Sequence, residues 1–84
     1  MKTNIFGDMR AENYADIVQC LEEGLVAGDE VYAVVSADTD EGGYMAEVFE
    51  NEFGDDMFNV IGYADIESLK SDLRQAGISD IQTA

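Results

Sequence analysis

Three apolar runs rich in β-branched and aromatic residues follow one another in mid-chain: VYAVVSA at 31–37, YMAEVFENE at 44–52 and MFNVIGYA at 57–64. Only the short stretches DTDEGG and FGDD separate them. A parallel connection needs about a dozen residues or more, so these runs can pair only as an antiparallel meander. That constraint fixes the centre of the fold before anything else is considered.

Helical spacing flanks the meander on both sides. In MRAENYADIVQCLEEGL, Tyr14, Val18, Leu21 and Leu25 fall on one stripe with Ile17 beside them, while Asp16, Gln19 and Glu23 lie opposite. Asn13 is placed to cap this helix with Asp16 at its third position, and Gly24 suits the C′ position, giving a helix over 12–24. Asp65 caps a second helix, IESLKSDLRQA, whose Ile66, Leu69, Leu73 and Ala76 share a face, and Gly77 ends it. Thr3–Gly7 reads as a short strand, and ISDIQTA at the far end either adds an edge strand or lies along the sheet. The expected order is (β)αβββα(β). Two single-striped helices need an apolar surface to cover, which predicts an α+β domain: a three- to four-stranded antiparallel sheet with both helices on one face. A split βαβ arrangement is the alternative.

With 84 residues the chain is expected to form one compact acidic domain over 1–84. A chain of this length buries only about 60–65 % of its unfolded surface, so the core is thin. A hydrophobic content of 46 % is nevertheless too high for a disordered acidic tail. No apolar run approaches the roughly 20 residues that span a bilayer, and MKTNIFGDMR lacks the apolar stretch of a signal peptide. The expectation is a cytoplasmic protein of a bacterial host cell that avoids membranes, since anionic headgroups repel a surface this negative.

Catalytic signatures are missing. The sequence contains no histidine, the commonest general base, and has no phosphate-binding glycine loop, nucleophile elbow or metalloprotease motif. Cys20 is the single cysteine, which rules out an intramolecular disulfide; Asp16 and Glu23, a turn away on either side, would raise its thiol pKa. The spacing Asp38, Asp40, Gly42 resembles the start of an EF-hand loop, but position five is glycine and position twelve is Phe49, so two required ligands are absent. No enzyme activity, cofactor or dedicated metal site is expected.

Charge carries the functional signal. Nineteen acids against four Lys and Arg give a net charge of −15. Between Ala11 and Leu69 there are sixteen acids and no Lys or Arg; the cations Lys2, Arg10, Lys70 and Arg74 all lie outside. Solubility alone is usually served by a net charge of magnitude about 2–8 with both signs interspersed. A basic partner accounts for the excess, and the residues expected to meet it are Asp38, Asp40, Glu41, Glu47, Glu50, Glu52, Asp55 and Asp56, with Tyr44 and Phe53 as aromatic anchors. Glu50 and Glu52 would project from one side of a continuing strand about 6.6–6.8 Å apart. A row of this kind imitates a phosphate backbone to a groove lined with Lys and Arg. Two other classes fit the composition: a structural or salt-adapted domain whose charge serves solvation, and a small divalent-metal-binding module.

In its size, its lack of histidine and the acidic segments DTDEGG, EVFENEFGDD and LEEGLVAGDE, the chain resembles the small phage and mobile-element inhibitors of bacterial defence, anti-CRISPR proteins and other DNA mimics among them. This resemblance implies an inhibitor that occupies the DNA-binding or PAM-reading surface of a CRISPR effector, most readily a type I surveillance complex. Its partner would be that basic protein rather than nucleic acid itself, and the inhibitor would be a monomer or weak dimer.

Overall fold

The computed structural model describes residues 9–84, so the strand expected at Thr3–Gly7 lies outside the described residues. The elements are β1 (Arg10–Ala11), α1 (Tyr14–Glu23), β2 (Val31–Ala37), β3 (Tyr44–Glu50), β4 (Asp56–Tyr63), α2 (Ile66–Gln75) and β5 (Ile81–Thr83), with one 3-10 turn at Gly28–Glu30. The fold is α+β, with both helices packed into a single core.

The meander forms as its short connections require: β2 pairs antiparallel with β3, and β3 with β4. The sheet is nevertheless five-stranded and mixed, in the order β1-β4-β3-β2-β5, rather than three- to four-stranded and antiparallel. Both edge strands are parallel to their neighbours, β1 to β4 and β5 to β2. The helices supply the length that a parallel connection needs. Each of the crossovers β1-α1-β2 and β4-α2-β5 joins strands three places apart in the sheet. Two strands lie between the joined pair in each crossover, one more than the split βαβ alternative places there. Backbone bonds from Asn59 N to Met9 O (3.1 Å), Ala33 N to Asp80 O (2.9 Å) and Ala84 N to Val35 O (2.9 Å) hold the edges.

Alternation along the strands sends Val31, Ala33, Val35, Ala46, Val48, Phe58 and Val60 to one face, where Ile17, Cys20 and Leu21 of α1 and Leu69 and Leu73 of α2 cover them. Where the chain enters the first helix, Asn13 Oδ1 accepts from Asp16 N at 2.9 Å, the expected cap. Its other end differs from expectation. Gly24 is right-handed (φ −81°), and the left-handed position falls to Leu25 (φ 60°), which leaves the apolar stripe and is 90 % exposed. The buried face of α1 is accordingly Ile17, Cys20 and Leu21, and Tyr14 is 42 % exposed. In α2 the expected devices hold: Asp65 Oδ2 accepts from Ser68 N, and Gly77 is left-handed at φ 98°. Tyr63 Oη donates to Asp72 Oδ2 at 2.5 Å and ties α2 to β4; burial first, then this bond, pushes the phenol above its usual pKa.

One glycine is required by close approach. A Cβ on Gly28 would stand 2.6 Å from the Gly77 carbonyl oxygen, so the turn after α1 can meet the end of α2 only if the residue has no side chain.

Candidate functional site

The two β-hairpin turns are built to one pattern from different residues. At the first, Asp38 N donates to Gly43 O and Gly42 N to Asp38 O, both at 2.9 Å. The Asp38 carboxylate accepts from Asp40 N (3.1 Å) and Glu41 N (3.0 Å). At the second, Glu50 N donates to Asp55 O and Gly54 N to Glu50 O, while Glu50 Oε1 accepts from Phe53 N at 3.1 Å. In each turn an acid at the first position caps the amide three residues on. A left-handed glycine, Gly42 (φ 83°) or Gly54 (φ 72°), sits at the fifth position. Asp38 and Glu50 thus have a local structural reason to be acidic, and Asp38 is buried.

Residues contiguous in sequence are parted by the fold. Asp38, Asp40 and Glu41 lie at one end of the sheet, and Glu50, Glu52, Asp55 and Asp56 at the other, with the length of β3 between them. Seven strand residues span about 20 Å. The Glu50 end gathers further charge from the turn before β2: Asn51 N donates to Glu30 O at 2.9 Å and Asn51 Nδ2 to Asp29 O at 3.3 Å, so Asp29, Glu30, Glu50 and Glu52 line one shallow cavity. Glu47 stands alone midway along β3, on the face opposite the helices. The regular row expected of Glu50 and Glu52 does not form, because β3 stops at Glu50 and Glu52 belongs to the turn.

The two aromatic anchors also separate. Phe53, at the tip of the second turn, is 74 % exposed among acids. Tyr44 packs partly buried against the core at the opposite end. Cys20 is buried, which removes its sulfur from the surface; burial first, then Glu23 and Asp16, raises its pKa.

Among the described residues, carboxylate side chains accept from backbone amides, from Gln19, Gln82 and Ser68 side chains and from the Tyr63 hydroxyl, and no such hydrogen bond comes from Lys or Arg. No group of three or more Cys, Asp and Glu among them is arranged to hold a metal ion. Two carboxylates brought to about 7 Å of each other would repel by roughly 0.6 kcal/mol in water. Salt shortens the Debye length from about 30 Å at 0.01 M to 3 Å at 1 M. Relief of several such pairs is worth about 1 kcal/mol, so the melting temperature should rise by about 4–8 °C between low and high NaCl. A melting curve unmoved by salt would show that the acids are too dispersed to repel.

Sequence reasoning passes over the outward face of the sheet. Tyr32, Val34, Met45, Phe49 and Ile61 alternate with the buried positions and lie on the side that no described helix covers. The signal was present as strand alternation, but VYAVV is apolar at every position and shows no period to read.

No protein family matches the chain, no curated protein matches it, and no solved structure matches its fold. No helix among the described residues is long and apolar enough to cross a membrane.

Proposed function

We propose that the protein is a non-enzymatic inhibitor, acting in the cytoplasm of a bacterial cell, that binds a basic nucleic-acid-binding protein and keeps DNA from engaging it. A type I CRISPR surveillance complex is the proposed target. One observation carries the reading: sixteen acids with no Lys or Arg among them, whose carboxylates take no hydrogen bond from a cation among the described residues. A partner that normally neutralises phosphates with Lys and Arg can satisfy those carboxylates in the same way, with the same release of counterions.

Competition tests the reading. A purified type I surveillance complex is loaded with fluorescent non-specific duplex, the protein is added, and release is followed by anisotropy alongside a native gel. Release of the duplex without a ternary complex is the expected result. Once an R-loop has formed, the channel is occupied and the protein should bind poorly. A stable ternary complex with unchanged DNA affinity would overturn the mimic mechanism. No binding at all would leave the acids to solvation.

A further inference from the structure

The sheet is covered on one side only by described elements, and its other face is unlike the rest of the surface. Register places Tyr32 opposite Phe49, Val34 opposite Glu47 and Ser36 opposite Met45, with Asn59 and Ile61 of β4 on the same side. Tyr32 and Phe49 stack with ring centroids 5.2 Å apart and planes 20° from parallel. Five apolar side chains are thus partly exposed together, with Glu47 the acid midway along this face and Asp56, opposite Phe49, at its edge. Asn59, opposite both Glu47 and Arg10, has a buried Oδ1 that accepts no hydrogen bond. Aromatic residues and depleted charge are what distinguish the centre of a protein interface, and polar groups form its rim.

We infer that this open face is the centre of the docking surface, and that its partner is a protein with an apolar patch ringed by Lys and Arg. The inference rests on the basic-partner reading above and deepens it, because it makes charge the rim of the contact rather than its whole. Size and charge select the occupant. The face of the three central strands covers roughly 300 Å², well short of the about 800 Å² that each partner contributes to a standard interface. An occupant must therefore reach onto the sheet ends. Those ends carry Asp40 and Glu41 on one side and Glu52, Asp55 and Asp56 on the other, so the occupant's rim has to be basic. A second copy is disfavoured by the same count: it would set its own acidic ends against these, with −15 on each chain.

Two peptides of equal positive charge separate the contributions: an amphipathic peptide of Leu and Lys, and oligolysine. Each is titrated into the full chain at 0.15 M NaCl and followed by amide and methyl NMR. The amphipathic peptide should bind at least tenfold more tightly, with shifts centred on Tyr32, Val34, Met45 and Phe49. Phe49→Ser should abolish that advantage while leaving oligolysine binding unchanged. The pair Met45→Gln and Ile61→Thr, which spares the aromatic stack, should do the same if Phe49→Ser disturbs folding. Equal affinity for the two peptides, or shifts confined to the sheet ends, would overturn the open face and leave the basic-partner reading intact. Failure of both peptides to bind would overturn the two together. Self-association by sedimentation that Phe49→Ser abolishes would assign the face to a second copy instead.

Discussion

Phe58→Ala should strip the fold of a large part of its stability. Among the described residues Phe58 is the one aromatic side chain in the buried core, 1 % exposed, on β4 and opposite Val48 of β3. The core it belongs to includes three alanines, Ala11, Ala33 and Ala46, which bring little bulk to refill a vacated space. Truncation of a buried Phe costs about 3–5 kcal/mol, whereas a chain of 84 residues has a total stability of about 4–13 kcal/mol. At about 4–8 °C per kcal/mol the melting temperature should fall by more than 10 °C. Thermal and urea unfolding followed by circular dichroism measures this directly. Phe53→Ala is the matched control: its ring is 74 % exposed and should alter the melting temperature little. Similar small shifts for both would mean that the covered face is not the core.

The contrast between these two phenylalanines shows how far the sequence can be read. Phe58 and Phe53 both sit in apolar-acidic surroundings in the chain, and only the hairpin register sends one inward and puts the other at a turn tip. The meander and both helices are legible because each has a period, a cap or a connection too short for any other pairing. Asn13, Asp65 and Gly77 declare their roles locally. The edge strands are only half legible: ISDIQTA offers the one at Ile81–Thr83 as one of two readings, and nothing marks the one at Arg10–Ala11. Two residues at Arg10–Ala11 and three at Ile81–Thr83 have no period of their own, and their conformation comes from partners on β4 and β2. Leu25 misleads for a different reason: it continues a helical stripe in spacing, while the chain has already turned left-handed. The acidic segment reads as one patch because sequence neighbours are assumed to be spatial neighbours. A seven-residue strand is enough to defeat that assumption, since it carries the Glu50 turn about 20 Å from the Asp38 turn.

Replacing Glu47, Glu50 and Glu52 together by Gln should leave the fold intact and remove most of the proposed inhibition. Gln keeps the side-chain size and an oxygen that can accept from Phe53 N, so the second turn retains its cap when Glu50 is changed. Repulsion with Asp29 and Glu30 is relieved, and the melting temperature should hold or rise slightly. Binding is another matter. The substitution takes three charges from the Glu50 end and from the open face, the two regions that the proposed contact joins. Electrostatic steering raises association rates by about 10–10³-fold and weakens with ionic strength. The association rate with a type I surveillance complex should therefore fall tenfold or more at low salt, and its salt dependence should flatten. Asp40→Asn with Glu41→Gln neutralises the opposite end without touching the Asp38 cap, and tells whether that end shares the contact. Full inhibition by the triple variant would exclude the Glu50 end and Glu47. The search would then move to α1, through Asp16, Glu22 and Glu23, acids that a basic partner could meet without covering the sheet.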